Sequence, residues 1–286
     1  MKQVFRNPLL LFGIGFLVLL LLFASFGPKI RSAQLAPPGE PKFDAVTDRV
    51  DKPYVSPSPG LPLGTDANGR DEVARLAEGA KVSLLVGFVV QVFAVGFGMF
   101  VGVLGTFAPG FIRLPLLRFT DAMFAFPDIL LAILIVGTFA GAGLGILPVI
   151  VALGITAWPS FTRLTVTLMA TVKDREYVVA AKAAGASTLY LVLKHILPQV
   201  LPLILAVSMV EMAGTVLSES TLSFIGIGIQ PPNPSWGNMI SDVRQAEITA
   251  NIPQLAAPCL ALSLTIFALN FVGDGVLAVL DPKKGA

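Results

Sequence analysis

Apolar residues in this chain come in long unbroken runs, without the alternation of a half-buried strand or the one-sided stripe of a soluble helix. Six runs stand out: Leu9–Phe26, Val82–Phe107, Leu116–Ala140, Ile146–Met169, Val200–Leu222 and Leu255–Leu280. The apolar core of a bilayer takes about 20 consecutive apolar residues in helical form. Each run therefore predicts a membrane span, and the fold class is an all-α polytopic membrane protein with six transmembrane helices. Lys2 and Arg6 precede the first run, but no small-x-small cleavage site follows it, so it reads as an uncleaved anchor. Gly98 and Gly102, flanked by Gly87 and Gly105, form a small-xxx-small pair in the second run that lets helix backbones approach closely. Pro127 and Pro148 lie within or at the edge of the third and fourth runs, where proline kinks or starts a helix.

The polar pieces between the runs set the organisation. Gly27–Glu78 is rich in proline and unusually long, which predicts an extended connection without a core of its own. Residues 1–78 are read as anchor plus extracytoplasmic connection. Residues 79–286 form the transmembrane core, with a cytoplasmic loop at about 170–198. Short cytoplasmic connections carry an excess of Lys and Arg. Arg113, Arg118, Arg163, Lys173, Arg175, Lys182 and Lys194 then fall inside, together with Lys2, Arg6, Lys283 and Lys284 at the two ends. Both termini are expected in the cytoplasm, with Lys42 and Trp236 outside.

Composition narrows the function classes. The chain is 55% hydrophobic and 13% charged, about half the charged fraction of a soluble domain. A net charge of +2 gives no footprint for nucleic acid. With one cysteine, Cys259, and one histidine, His195, neither a disulfide framework nor a Cys/His metal site is expected. No catalytic residue set is apparent, and no GxxxxGK[ST] loop occurs, so any ATP must be bound by another chain.

The segment Glu176–Pro198, EYVVAAKAAGASTLYLVLKHILP, is the most specific motif. Its alanines favour helix and present a smooth face, and Gly185 can end that helix in a left-handed cap. Glu176, Ala180, Ala181, Gly185, Leu197 and Pro198 resemble the "EAA" loop of permease subunits of bacterial ABC importers, with His195 standing where that family usually has Ile. Two further stretches are similar to C-type permeases of dipeptide, oligopeptide and nickel importers. One is Leu63–Gly87, beginning LGTDANGRD, in which Asp71 can cap the helix entering the second span. The other is Ser220–Asn238, STLSFIGIGIQPPNPSWGN, with LNFVGDGVLAVLDPK near the C-terminus as a companion. Gln230, Pro231, Pro232 and Trp236 are expected in a loop at the outer mouth of a pathway, with the Trp236 ring among lipid headgroups and its N–H wet.

The resemblance implies a type I importer fold in the bacterial cytoplasmic membrane. It implies pairing with a second, B-type permease, two cytoplasmic ATPase subunits that hold ATP and Mg, and an extracytoplasmic solute-binding protein. By the same resemblance the cargo is a di- or oligopeptide, with nickel chelates or another small solute as the alternative. An ion-coupled secondary transporter is the rival class, but no inverted repeat is visible. Within the spans, Ser208, Glu211, Thr215 and Ser218 recur at three- and four-residue steps and are the pathway-lining candidates. Asp128 and Asp274 also lie in or near apolar runs.

Overall fold

In the computed structural model the residues described are 7–40, 42–139, 142–245 and 252–280. Lys2, Arg6, Lys283, Lys284 and the Ala140 end of the third run lie outside them. The helices are α1 (Pro8–Leu35), α2 (Glu72–Phe107), α3 (Gly110–Met123), α4 (Asp128–Thr138), α5 (Leu147–Lys173), α6 (Glu176–Ala183), α7 (Thr188–Leu191), α8 (Leu197–Ile225), α9 (Trp236–Gln245) and α10 (Ile252–Leu280). A π-helical turn, Val192–Ile196, joins α7 to α8. Among the described residues, five helical segments are long and apolar enough to cross a membrane.

A sixth span is broken. The third apolar run is two helices, α3 and α4, bent by 89°. Pro127 explains the break, because it disfavours helical backbone at Phe126 and then serves as the N-cap of α4. The bend leaves Arg163 on α5 to pair with Asp121 at 2.7 Å and to lie 4.3 Å from the centre of the Phe124 ring.

Three apolar clusters stack through the bundle. At one end Val82, Val86 and Val90 of α2 meet Val149 and Leu153 of α5, Ala132 of α4 and Leu222 of α8. Alongside, Leu20, Leu84, Met212, Trp236 and Leu269 join α1, α2, α8, α9 and α10. At the other end Phe161 and Met169 of α5 pack with Ile196, Val200 and Ile204 beneath α6. Small residues set the spacing. A Cβ on Gly98 would lie 2.7 Å from the Trp158 carbonyl oxygen, and one on Gly102 would lie 2.5 Å from the Thr165 Cβ. The Gly98–Gly102 pair is thus the α2–α5 seam. Gly273 and Gly275 do the same for α10, against Val210 of α8 and Leu10 of α1.

The connection before α2 differs from the sequence expectation. Helix α1 continues through Pro28 to Leu35 and α2 begins at Glu72, so the irregular part is 36–71. It is folded, with Ala45, Val46, Ala74, Leu35 and Phe43 in a small core of their own. Asp66 organises it. Its Oδ1 accepts from the Asn68 and Arg70 backbone N–H groups at 2.8 Å, and its Oδ2 pairs with Arg70 at 2.7 Å and Arg75 at 3.0 Å. Asp71 caps α2 by accepting from Ala74 N–H at 2.8 Å and holds Arg31 of α1 at 2.7 Å. Gly64 and Gly69 have φ of +75° and +76°, and a Cβ on either would strike a backbone carbonyl, of Val55 or of Asp51. Across this cluster, burial raises the Asp242 carboxyl of α9 above the ordinary carboxylate range, while Arg75 pulls it down.

Candidate functional site: a docking loop and a polar cleft

Helix α6 rests on the end of α5 through Val178, its one buried side chain. Its end is a Schellman turn: Gly185 N–H donates to Lys182 O at 3.0 Å and Ala186 N–H to Ala181 O at 3.1 Å, with Gly185 at φ +91°. Ser187 then caps α7 by accepting from Tyr190 N–H. Glu176, Ala180 and Gly185 are exposed, Ala181 is half-buried, and the neighbouring Tyr177 and Val179 add exposed apolar area. Leu197 and Pro198 open α8, with Leu197 half-buried beneath the loop and Pro198 exposed. Glu176, Ala180, Ala181 and Gly185 thus form one surface feature, a short helix and turn projecting from the bundle end, while Leu197 and Pro198 stand apart at the start of α8. Tyr177 and Tyr190 lie on either side of His195, with ring centres 6.3 and 5.5 Å away.

The polar stripe on α8 divides. At about 100° per residue, Ser208, Thr215 and Glu219 share one face, while Glu211 and Ser218 sit some 60–80° round from it. Ser208 is buried and donates to Leu205 O at 2.8 Å, away from any cavity the others line. Glu211, Thr215 and Ser218 line a cleft of about 240 Å³ together with Asp128 of α4 and Thr156 and Ser160 of α5. Thr215 donates to Glu211 O and accepts from Gln91 of α2 at 2.8 Å. Two carboxylates, Asp128 and Glu211, therefore face one open, hydroxyl-lined cleft. Thr156 and Ser160 carry no signal of their own, since a four-residue step between two small hydroxyls in an apolar helix is common.

The loop after α8 is also only partly as expected. Gln230, Pro231 and Pro232 line a wide cavity of about 730 Å³ between this loop and the α4–α5 connection. Gln230 donates to Gly226 O at 3.0 Å and so closes the end of α8. The Trp236 ring does not face lipid or water: it is fully buried, packs on Gly79 and Met239, and donates to Leu76 O at 3.2 Å. The extended bend at Pro231–Pro234 turns its ring back into the bundle.

Glu219 was missed. It is fully buried and accepts from Ser83 of α2 at 2.7 Å and Ser223 at 2.8 Å. Ser223 accepts in turn from Ile229 N–H at 3.0 Å, and Asn238 of α9 donates to Ile229 O at 3.3 Å. One carboxylate thereby ties α2, α8, the loop and α9 together. The run Ser218–Glu219–Ser220 inside an apolar span was the available signal. Glu219→Leu is expected to lower thermal stability by about 1–3 kcal/mol, because Ser83 and Ser223 lose their acceptor. Glu219→Gln should recover most of that loss in a melting experiment on the purified protein.

Residues 94–285 match the family described as binding-protein-dependent transport system inner membrane component. The chain belongs to this family. It is similar along 99% of its length, at 32% identity, to the oligopeptide transport system permease protein OppC of Haemophilus influenzae, of which it covers 87%. It is 35% identical to the di/tripeptide transport system permease protein DppC of Pseudomonas aeruginosa, over 77% of this chain and 72% of that one. It is 37% identical to the glutathione transport system permease protein GsiD of Escherichia coli, with the same coverage. The fold is shared with a chain of the MetNI methionine ABC transporter in an inward-facing crystal form, with a TM-score of 0.60 at 21% identity, over 72% of this chain and 96% of that one. As a member of the binding-protein-dependent transport family, the chain is an integral membrane component of a transport system.

Proposed function

We propose that this chain is one permease of a peptide-importing ABC transporter. It would work beside a second permease, two cytoplasmic ATPases that bind ATP and Mg, and an extracytoplasmic solute-binding protein. The observation that carries the reading is the projecting α6 and its Gly185 turn, combined with similarity to peptide and glutathione permeases over 77–99% of the chain. In this reading Glu176, Ala180, Ala181 and Gly185 enter a groove on an ATPase, and Leu197 and Pro198 pass its movement directly into α8. Closing of the ATPases on ATP swings α8 and opens the pathway outward, and hydrolysis resets it. The termini and the Glu176 loop lie in the cytoplasm and the 36–71 connection outside, in line with the basic residues of the short connections.

The pathway runs along the cleft of Asp128, Glu211, Thr215 and Ser218. A carboxylate in contact with lipid at Glu211 would cost about 2.5 kcal/mol or more on insertion scales, so that face meets water or the second permease. Cysteines at 211, 215 and 218 are expected to react with a small water-soluble thiol reagent in at least one nucleotide state. A cysteine at buried position 208 should stay protected. Protection of 211 and 218 in every state would make the cleft a packing surface.

Purification of the tagged chain from its native membrane tests the assembly. Recovery of two ATPase copies and a second permease is expected, and recovery of the chain without any ATPase would contradict the reading.

A further inference from the structure

Beside α1 the bundle carries a cleft that neither the docking loop nor the polar pathway uses. Its lower part, about 460 Å³, is walled by Leu17 and Leu21 of α1, Leu84, Leu85 and Phe88 of α2 and Met212 of α8. Its upper part, about 810 Å³, opens beside the 36–71 connection and carries Lys29, Asp44, Glu78 and Lys81. The two parts join, since both are lined by Ala24, Ser25 and Lys81. From Leu17 to Ser25 a helix rises about 12 Å, close to the ~15 Å depth of one leaflet's apolar layer. The slot is therefore apolar over one leaflet and charged where headgroups begin.

The charges at the mouth choose the occupant. Two ammonium groups and two carboxylates balance, so neither an anionic nor a cationic headgroup is favoured. Lys81 is held by Glu78 at 2.8 Å, whereas Lys29 is exposed and makes no ion pair among the described residues. Asp44, also exposed and lining the mouth, accepts from Val46 N–H with Oδ1 and makes no ion pair among the described residues. A free cation and a free anion on one rim fit a headgroup that carries both signs.

We propose that this cleft binds one zwitterionic phospholipid of the phosphoethanolamine class. An acyl chain lies against Leu21, Leu84 and Phe88, the phosphate meets Lys29 and Lys81, and the headgroup ammonium meets Asp44. The lipid braces α1 against α2 and the folded connection. The site needs only insertion of the chain in a bilayer, so its test stands apart from the proposed cargo.

The intact permease–ATPase complex, stripped with detergent and titrated separately with phosphatidylethanolamine and phosphatidylglycerol, is read by native mass spectrometry. The expected result is one phosphatidylethanolamine retained per copy of this chain, about tenfold more tightly than phosphatidylglycerol. Lys29→Glu with Lys81→Glu should weaken retention about tenfold or more. Ser25→Trp, an exposed position at the throat between the two parts, should abolish it while leaving the melting temperature of the lipid-free complex unchanged. Equal retention of both lipids, or full retention by the Ser25→Trp complex, would overturn the proposal. So would a photo-reactive residue at Leu21 that cross-links to the second permease instead of to lipid.

Discussion

Gly185→Val is expected to abolish coupled transport while leaving the chain inserted and the bundle intact. Gly185 sits at φ +91°, a backbone region that a β-branched residue adopts only under strain, and it closes the turn that ends α6. A Cβ there meets no other atom within 4 Å, so the damage comes from the backbone and not from a clash. The turn after Ala181 should open and α6 should lose its set direction relative to α8. Glu176→Lys reverses an exposed charge on the same surface without touching the turn. Both variants should show ATPase activity no longer stimulated by loaded binding protein, or weakened ATPase retention. Because α6 is held to the bundle by little more than Val178 and the half-buried Ala181, melting of the membrane bundle should change little. Wild-type transport with normal ATPase stimulation in both variants would remove the docking role from this loop.

Asp66→Ala should produce the largest loss of stability. The carboxylate is buried and stands between two buried guanidinium groups, Arg70 and Arg75. It also satisfies two backbone N–H groups of its own turn. Removing it takes the ion-pair partner from Arg70 and leaves Arg75 to Glu72 and Asp242 alone, and losing one side of a buried pair costs about 3–5 kcal/mol. Asp66→Asn keeps the backbone contacts and should cost less. Asp71→Ala should also destabilise, through the lost α2 cap and the freed Arg31. Melting of the purified complex checks the order: Asp66→Ala lowest, Asp66→Asn intermediate. Equal melting of wild type and Asp66→Ala would show that the cluster adds nothing to the fold.

The residues whose meaning is local were legible in the sequence. Asp71 as a cap, Gly185 as a left-handed turn, Gly98 and Gly102 as a helix seam and Pro127 as a helix start all follow from the chain within a few residues of each position. Features that depend on remote partners were not. Trp236 looks interfacial by residue type, and only the bend at Pro231–Pro234 and the groove at Gly79 turn it inward. The length and proline content of Gly27–Glu78 suggested an extended connection, whereas pairing of Asp66 and Asp71 with Arg70, Arg75 and Arg31 folds its irregular part, 36–71. The α8 stripe was counted at three- and four-residue steps, a pattern too broad to separate the buried Ser208 and Glu219 from the open Glu211 and Ser218. That separation needed the neighbours on α2 and α4, which lie more than 80 residues away in sequence.

In the proposed function this chain carries peptides across the membrane at the expense of ATP hydrolysed on partner subunits. Its most direct test is the complete complex in proteoliposomes, with binding protein and labelled di- and oligopeptides on the side of the 36–71 connection. Peptide uptake is expected to require ATP on the opposite side and to be lost with Gly185→Val. Uptake driven by an ion gradient without ATP, or ATP-dependent uptake of a nickel chelate with no peptide moved, would contradict it.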